Sequence, residues 1–367
     1  MTVVYGLEPM HRAHHVGSLL RPTELLTAWR AHGNGGLSDA ALQVAQDTAI
    51  REVVTLQEEL GLGVVTDGEF RRLSYWKRFV DVVDGLEVGP ARFSFTDDTG
   101  DKLPFTAPHV VGRLRRTEPV SGHEVDFLRA VTDRTIKVTV PSPSTMQFWF
   151  GPLRGAYESP EAFFDDLARI FRDEIADLGA RGAGIIQLDE VALAMLCDPN
   201  VREAVGRDGE DAEQLVTGYT RAIAEAVAGA GVTTAVHVCR GNYKGHWMAA
   251  GGYGPIAETV FGGAGVDLLF LEFDSDRAGG FEPLRHVPRA TSVVLGLVSS
   301  KVPSLESRDV LLRRIEEASR FVPVERLALS PQCGFASTVG GNPVTVDDQR
   351  AKLARIVEVC EEVWGSA

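Results

Sequence analysis

Eight times along this chain a short apolar run rich in β-branched residues gives way to a polar cluster and then a longer amphipathic stretch. The runs lie near Ala13–Val16, Leu62–Thr66, Ile136–Val140, Gly184–Leu188, Val232–Val238, Val266–Leu271, Ser292–Val298 and Leu327–Ser330. Each is almost continuously apolar, the pattern of parallel strands covered on both faces. Eight such strands separated by helices predict an α/β fold, a single (β/α)8 TIM-type barrel. The competing architecture is a doubly wound sheet. No run, however, is followed by the Gly-x-Gly-x-x-Gly turn with which such sheets bind dinucleotides. A length of 367 residues fits one barrel domain spanning 1–367.

The helix signals agree with this frame. Ser38 is placed to cap a helix running to about Leu60. Ser159-Pro160-Glu161 supplies a cap, a first-turn proline and a first-turn acid, with Gly179 as the stop. Thr345 and Asp348 resemble a capping box before a last helix ending near Trp364. Two stretches break the repeat. Residues 85–122, with several prolines and glycines, predict an inserted hairpin over the barrel mouth, and the acidic stretch 198–211 reads as a loop.

The net charge of −14 is spread along the chain and argues against nucleic acid or an anionic membrane as partner. No apolar stretch approaches the roughly 20 residues of a membrane span. Met1–Pro9 lacks the basic and apolar regions of a signal peptide, so a cytoplasmic location is expected. Cysteine occurs at 197, 239, 333 and 360 only, too sparsely for a disulfide framework. A placed cysteine here is then a ligand or a nucleophile.

In such a barrel the active site forms where the strands end. After the eight runs come Gly17-Ser18, Asp67-Gly68-Glu69, Pro141-Ser142-Pro143, Asp189-Glu190, His237-Val238-Cys239, Glu272, Ser299-Ser300-Lys301 and Gln332-Cys333. Residues two apart on a strand face the same side, so His237 and Cys239 converge on the barrel mouth. With Cys333 and Glu272 ending other strands, they form a mixed nitrogen, sulfur and oxygen set that suits Zn2+. A His-x-Cys pair alone would more often be two core residues; Cys333 at another strand end tips the balance toward a metal. Cys197 and Cys360 lie in helical or loop surroundings and read as core. A zinc site with two thiolates suits activation of a substrate thiol, because a thiol coordinated to zinc is deprotonated. Glu69 and Asp189 are placed to meet a substrate ammonium, and Ser18 a carboxylate. Glu190 could orient a neighbour, although any one of these acids could instead cap a helix. Arg71, Arg72, Arg240 and Lys301 read first as salt-bridge partners. Phe148-Trp149-Phe150 and Tyr243 with Trp247 wall a pocket or fill the core.

His15-Val-Gly-Ser18, Thr66-Asp-Gly-Glu69, Ile186-Gln-Leu-Asp-Glu190, His237-Val-Cys239, Leu271-Glu272 and Ser330-Pro-Gln-Cys-Gly334 occur in this order. Together they resemble the C-terminal catalytic barrel of cobalamin-independent methionine synthase over nearly the whole chain. The resemblance implies a zinc held by His237, Cys239, Glu272 and Cys333, activating homocysteine for methylation. It also implies that Ser18, Glu69 and Asp189 bind the amino acid part. The methyl-donor half departs from the family. The proton-donating histidine is replaced by Val298, the folate-flanking tryptophan aligns with Phe148 beside Trp149, and the folate-contacting glutamate aligns with Met195. There is no room for the family's additional N-terminal barrel, so the chain is similar to the short single-barrel relatives. The implied reaction is methyl transfer to homocysteine. The donor is left open among a simpler folate, a methylated corrinoid and another small methyl compound, as is the oligomeric state. An epoxide:coenzyme M transferase of the same superfamily ranks second, since coenzyme M has no ammonium for Glu69 and Asp189. A non-catalytic barrel with a structural zinc and a zinc hydrolase rank below it.

Overall fold

The computed structural model describes residues 10–96, 100–153 and 155–367. Met1–Pro9, on which the reading of no signal peptide rests, and three insertion residues, 97–99, lie outside the described residues. The strands are β1 (Val64–Val65), β2 (Val83–Thr96), β3 (Lys102–Arg116), β4 (Thr135–Pro141), β5 (Ile185–Glu190), β6 (Thr233–Val238), β7 (Leu268–Glu272), β8 (Ser292–Val298) and β9 (Leu327–Pro331).

Seven of them form one sheet in the order β1-β4-β5-β6-β7-β8-β9, every neighbour parallel. The first expected strand shrinks to a single parallel bridge, Ala13 to Leu329 of β9. On its other side this segment meets β1 through the Thr66 hydroxyl, which donates to the Gly17 carbonyl at 2.8 Å. The result is the expected α/β barrel of TIM type.

Its lower interior is apolar. Val64, Ile185, Ala235, Leu268, Phe270, Val294 and Ala328 pack together there. Two residues above Ile185 and Ala235, on the same strand faces, stand Gln187 and His237; four above are Asp189 and Cys239. A dry floor under polar upper rows places the chemistry at the C-terminal mouth.

The expected caps on the outer helices form. Ser38 accepts from the Ala41 amide at the start of Asp39–Glu59, Ser159 accepts from Ala162 ahead of Pro160–Arg181, and Thr345 and Asp348 make the capping box of Val346–Trp364. The second of these helices runs past Gly179 and stops at Gly182, whose φ of 104° supplies the left-handed cap. The stretch 198–211 is corrected as well: Pro199–Arg207 is a helix, capped by Asp198 with proline in its first turn. The insertion is an antiparallel hairpin, β2 with β3. Its Thr96 bridges Trp247 by two main-chain bonds of 2.8 and 3.0 Å, which fastens the hairpin over the mouth to the loop after β6.

Candidate active site

The mouth holds a cavity of about 680 Å3, with Ser18, Glu69, Asp189, His237, Cys239 and Cys333 on its inner wall. His237 and Cys239 arrive as strand alternation predicts, and the Cys239 amide extends the ladder by donating to the Glu190 carbonyl at 3.1 Å. Cys333 comes from the turn after β9. The ligand atoms of these three buried residues lie within 4.8 Å of one another, a group able to hold a metal ion. The two sulfurs are 3.9 Å apart, and neither ring nitrogen of His237 has a hydrogen-bond partner. A fully buried imidazole with both nitrogens unmet is costly in an ordinary core, so the donor set fits a soft, tetrahedral metal such as zinc. The neighbouring Cys239 thiol holds Cys333 well below the ordinary thiol range.

Glu272 ends β7 as expected but stands outside the group of three. Its Oε1 accepts from Lys301 Nζ at 2.9 Å and its Oε2 from the Arg240 amide at 2.7 Å. Burial works against its charge, yet Lys301 and Arg240 outweigh it and hold the carboxyl down at about 2.

The two other acids line the same cavity, Asp189 as the register partner of His237 on the neighbouring strand. Glu69 has a φ of 59°, unusual for a side chain of its size. Its conformation is pinned from several sides: its amide donates to Asp67 Oδ1 at 2.8 Å, its carbonyl accepts from Arg21 at 2.7 Å, and its Oε1 accepts from the Thr139 hydroxyl at 2.9 Å. Burial raises its pKa. Asp189 is pushed up to about 7, by burial first and then by the Glu69 charge. The two charges oppose each other, a conflict that a cation between them would relieve. Ser18 lies against Gly334, where a Cβ would come within 2.0 Å of the Ser18 oxygen, so this turn requires glycine. The Ala336 amide donates to Ser18 Oγ at 3.3 Å, which leaves the hydroxyl hydrogen available to a ligand.

The remaining candidates separate. Glu190 is walled off from the cavity. It accepts from the hydroxyls of Ser142 and Ser144 and from the Leu193 amide, so it ties two loops together and caps a short helix. Of the three residues expected to line a donor pocket, Trp149 does so. Phe148 is stacked on Phe93 in the core, and Met195 is buried in the short helix Ala192–Met195; neither lines the cavity. Val298 is likewise fully buried at the end of β8 and away from the lining. Arg71, Arg72, Arg240 and Lys301 all form ion pairs, with Asp47, Glu124, Glu272 and Glu272.

Sequence reasoning missed the roof, Phe95 and Phe105 of the hairpin, and Asn242 beside the metal-ligand candidates. It also missed Lys137 and Gln187, buried directly beneath Asp189. Both interrupt otherwise apolar strands at inward positions, and that was the available signal.

A family model described as the catalytic domain of cobalamin-independent synthase matches residues 13–362. An uncharacterized Bacillus subtilis (strain 168) protein, YxjH, is 38% identical over 358 residues, covering 96% of this chain and 94% of its own. A crystal structure from Listeria monocytogenes, provisionally assigned as a vitamin-B12 independent methionine synthase, is 30% identical. Its TM-score is 0.75, with 98% of this chain and 99% of that chain covered. A B12-independent methionine synthase from Shewanella sp. W3-18-1, solved in complex with selenomethionine, shares the fold. It has a TM-score of 0.73 at 22% identity, covering 96% of this chain and 98% of that one.

Proposed function

The chain belongs to the cobalamin-independent methionine synthase catalytic-domain family, and from that membership and the site geometry we propose a zinc-dependent transfer of a methyl group to the thiol of homocysteine, giving methionine. The observation that carries this reading is one cavity lined both by His237, Cys239 and Cys333 and by Glu69 and Asp189. We read residues 1–367 as one catalytic domain, working in the cytoplasm, where its four free cysteines stay reduced.

A zinc ion bound there supplies the Lewis acid that keeps a substrate thiol ionised at neutral pH. His237, Cys239 and Cys333 would hold it, and Glu272, on giving up a bond to Lys301 or Arg240, would be the replaceable fourth donor. Glu69 and Asp189 take the substrate ammonium between them, which relieves their mutual repulsion and fixes the amino acid end. Ser18 donates its free hydroxyl hydrogen to the substrate carboxylate. The methyl donor enters against Trp149, Phe95 and Phe105, whose bulk excludes water from the reacting sulfur. With Val298 in the core, the chain has no histidine at the family's proton-donor position. That makes a simpler folate, a methylated corrinoid or another small methyl compound the donor to try first.

The test is calorimetric titration of the zinc-loaded protein with homocysteine and, separately, with coenzyme M. Tight homocysteine binding with release of about one proton is expected. Binding of coenzyme M alone would replace this reading by thiol addition to an epoxide. Binding of neither would reduce the site to a closed, structural metal.

A further inference from the structure

Beneath Asp189 lies a polar chain that the proposed reaction does not by itself require. Lys137 on β4 is buried, with its Nζ over the Phe270 ring at 4.6 Å from the centroid. It donates to the His15 carbonyl and, at 3.2 Å, to Gln187 Oε1. Gln187, fully buried, donates its Nε2 to Asp189 Oδ1 at 2.7 Å. The apolar floor below offers none of these groups a substitute partner.

The direction of this chain is fixed by donor and acceptor chemistry. A lysine ammonium has hydrogens for both carbonyl oxygens and no lone pair to accept with, so with Lys137 charged Gln187 turns its oxygen toward it. Its NH2 then faces Asp189. With Lys137 charged and Asp189 ionised, the flipped amide would set oxygen against carboxylate and NH2 against ammonium, two repulsive contacts in a site of low polarity. With Oδ1 taken from below, Asp189 keeps Oδ2 for the cavity that it lines.

We propose that Lys137 and Gln187 are positioning residues that lock the Asp189 carboxylate in the orientation that recognises the substrate ammonium, and so set selectivity for amino acid thiols. This inference rests on the ammonium contact proposed above. Neither residue touches the substrate, and neither takes part in methyl transfer.

The experiment compares methionine with 4-(methylthio)butanoate, the same thioether lacking the amino group, by calorimetry. Zinc-loaded and metal-free protein are both used, so the result does not depend on turnover. Gln187→Glu keeps the side-chain shape and satisfies Lys137, and in the carboxylate form that Lys137 favours it has no hydrogen to donate to Asp189. It is expected to cut the preference for methionine at least about tenfold, the scale of a hydrogen bond to a charged group, with 4-(methylthio)butanoate binding little changed. Lys137→Met is expected to move the preference the same way; if it does not fold, Gln187→Glu decides. In an Asp189→Ala background, Gln187→Glu is expected to change the preference less than about twofold, because a positioning residue acts only through its partner.

A preference for methionine that survives Gln187→Glu overturns this inference and leaves the functional reading intact. Equal loss of both ligands also overturns it, since that is the mark of general structural damage. If the unaltered protein shows no preference, the ammonium contact itself falls, and this inference with it.

Discussion

Arg72 is buried beneath the wall that carries Glu69, and its removal tests how that wall is held. The guanidinium binds Glu124 with two nitrogens, Nε at 2.8 Å and Nη2 in the ion pair, while also donating to the Thr139 hydroxyl and carbonyl, each at 2.8 Å. Arg72 is 5% exposed and Glu124 2%, so solvent takes over neither charge when its partner goes. Burial works to raise the Glu124 pKa, but Arg72 outweighs it and holds that carboxyl below its usual range. Arg72→Met therefore leaves an uncompensated buried carboxylate, and a loss of about 3–5 kcal/mol in unfolding free energy is expected. Replacing both partners, Arg72→Met with Glu124→Leu, removes the charges together and is expected to recover most of that loss. Urea unfolding followed by circular dichroism measures both. A cost below about 1 kcal/mol for the single variant would refute the claim that the pair is desolvated. A double variant less stable than the single one would refute the claim that the unpaired charge is what costs. The pair also reaches the site. Thr139 accepts from Arg72 and so must spend its own hydrogen on Glu69. The double variant is thus expected to fold yet to bind methionine more weakly than the unaltered protein.

Cys239→Ser and Cys333→Ser are each expected to lose most bound zinc, read by elemental analysis after dialysis; near-normal content in both would displace the assigned site. Asp67 is buried, and burial first, then Glu124, pushes its carboxyl from 3.8 up to about 7. Between these values the folded chain keeps a proton that the unfolded chain has released. Its contribution to stability is therefore full below pH 3.8 and is lost as the pH rises to about 7, by up to about 4 kcal/mol. Asp67→Asn should gain on the parent protein across that range in paired unfolding curves, and parallel curves would refute the shift. Val298→His forces a larger polar ring into a fully buried position, and a cost of at least about 1–3 kcal/mol is expected in thermal unfolding. An unchanged melting temperature with new methyl transfer from methylfolate would instead put this side chain in the cavity.

The barrel was legible because parallel strands under two covering faces leave continuous apolar runs, and because Ser38, Ser159 and Thr345 cap the helices they announce. The helix Pro199–Arg207 was missed for want of a long apolar stripe: only Val201 and Val205 are buried on it. His237 and Cys239 could be placed by strand alternation alone, and Cys333 by its position after β9. Glu272 could be placed but its partners could not. Lys301 comes from the loop after the next strand, and no spacing rule reveals which cation turns toward a given acid. Phe148 and Trp149 illustrate the same limit. Adjacent aromatics after a short 3-10 turn must point differently; both are buried, and only the packing of Phe93 against Phe148 settles that Trp149 is the one that lines the cavity. Lys137 and Gln187 stood in plain view as polar letters in apolar strands, but their worth depends on a neighbour across the barrel.

The fastening of the hairpin to the loop after β6 has a consequence for how this protein can diversify. Thr96 and Trp247 are joined through main-chain atoms, whose hydrogen bonds are indifferent to the side chains attached. Phe95 and Phe105, which roof the cavity, come from an insertion that contributes no strand to the barrel. These roof residues can therefore be exchanged while both the barrel and the attachment of its roof stay as they are. On the proposed reading, thiol activation sits in the barrel while part of the donor's wall sits in the insertion, so the two can change at different rates.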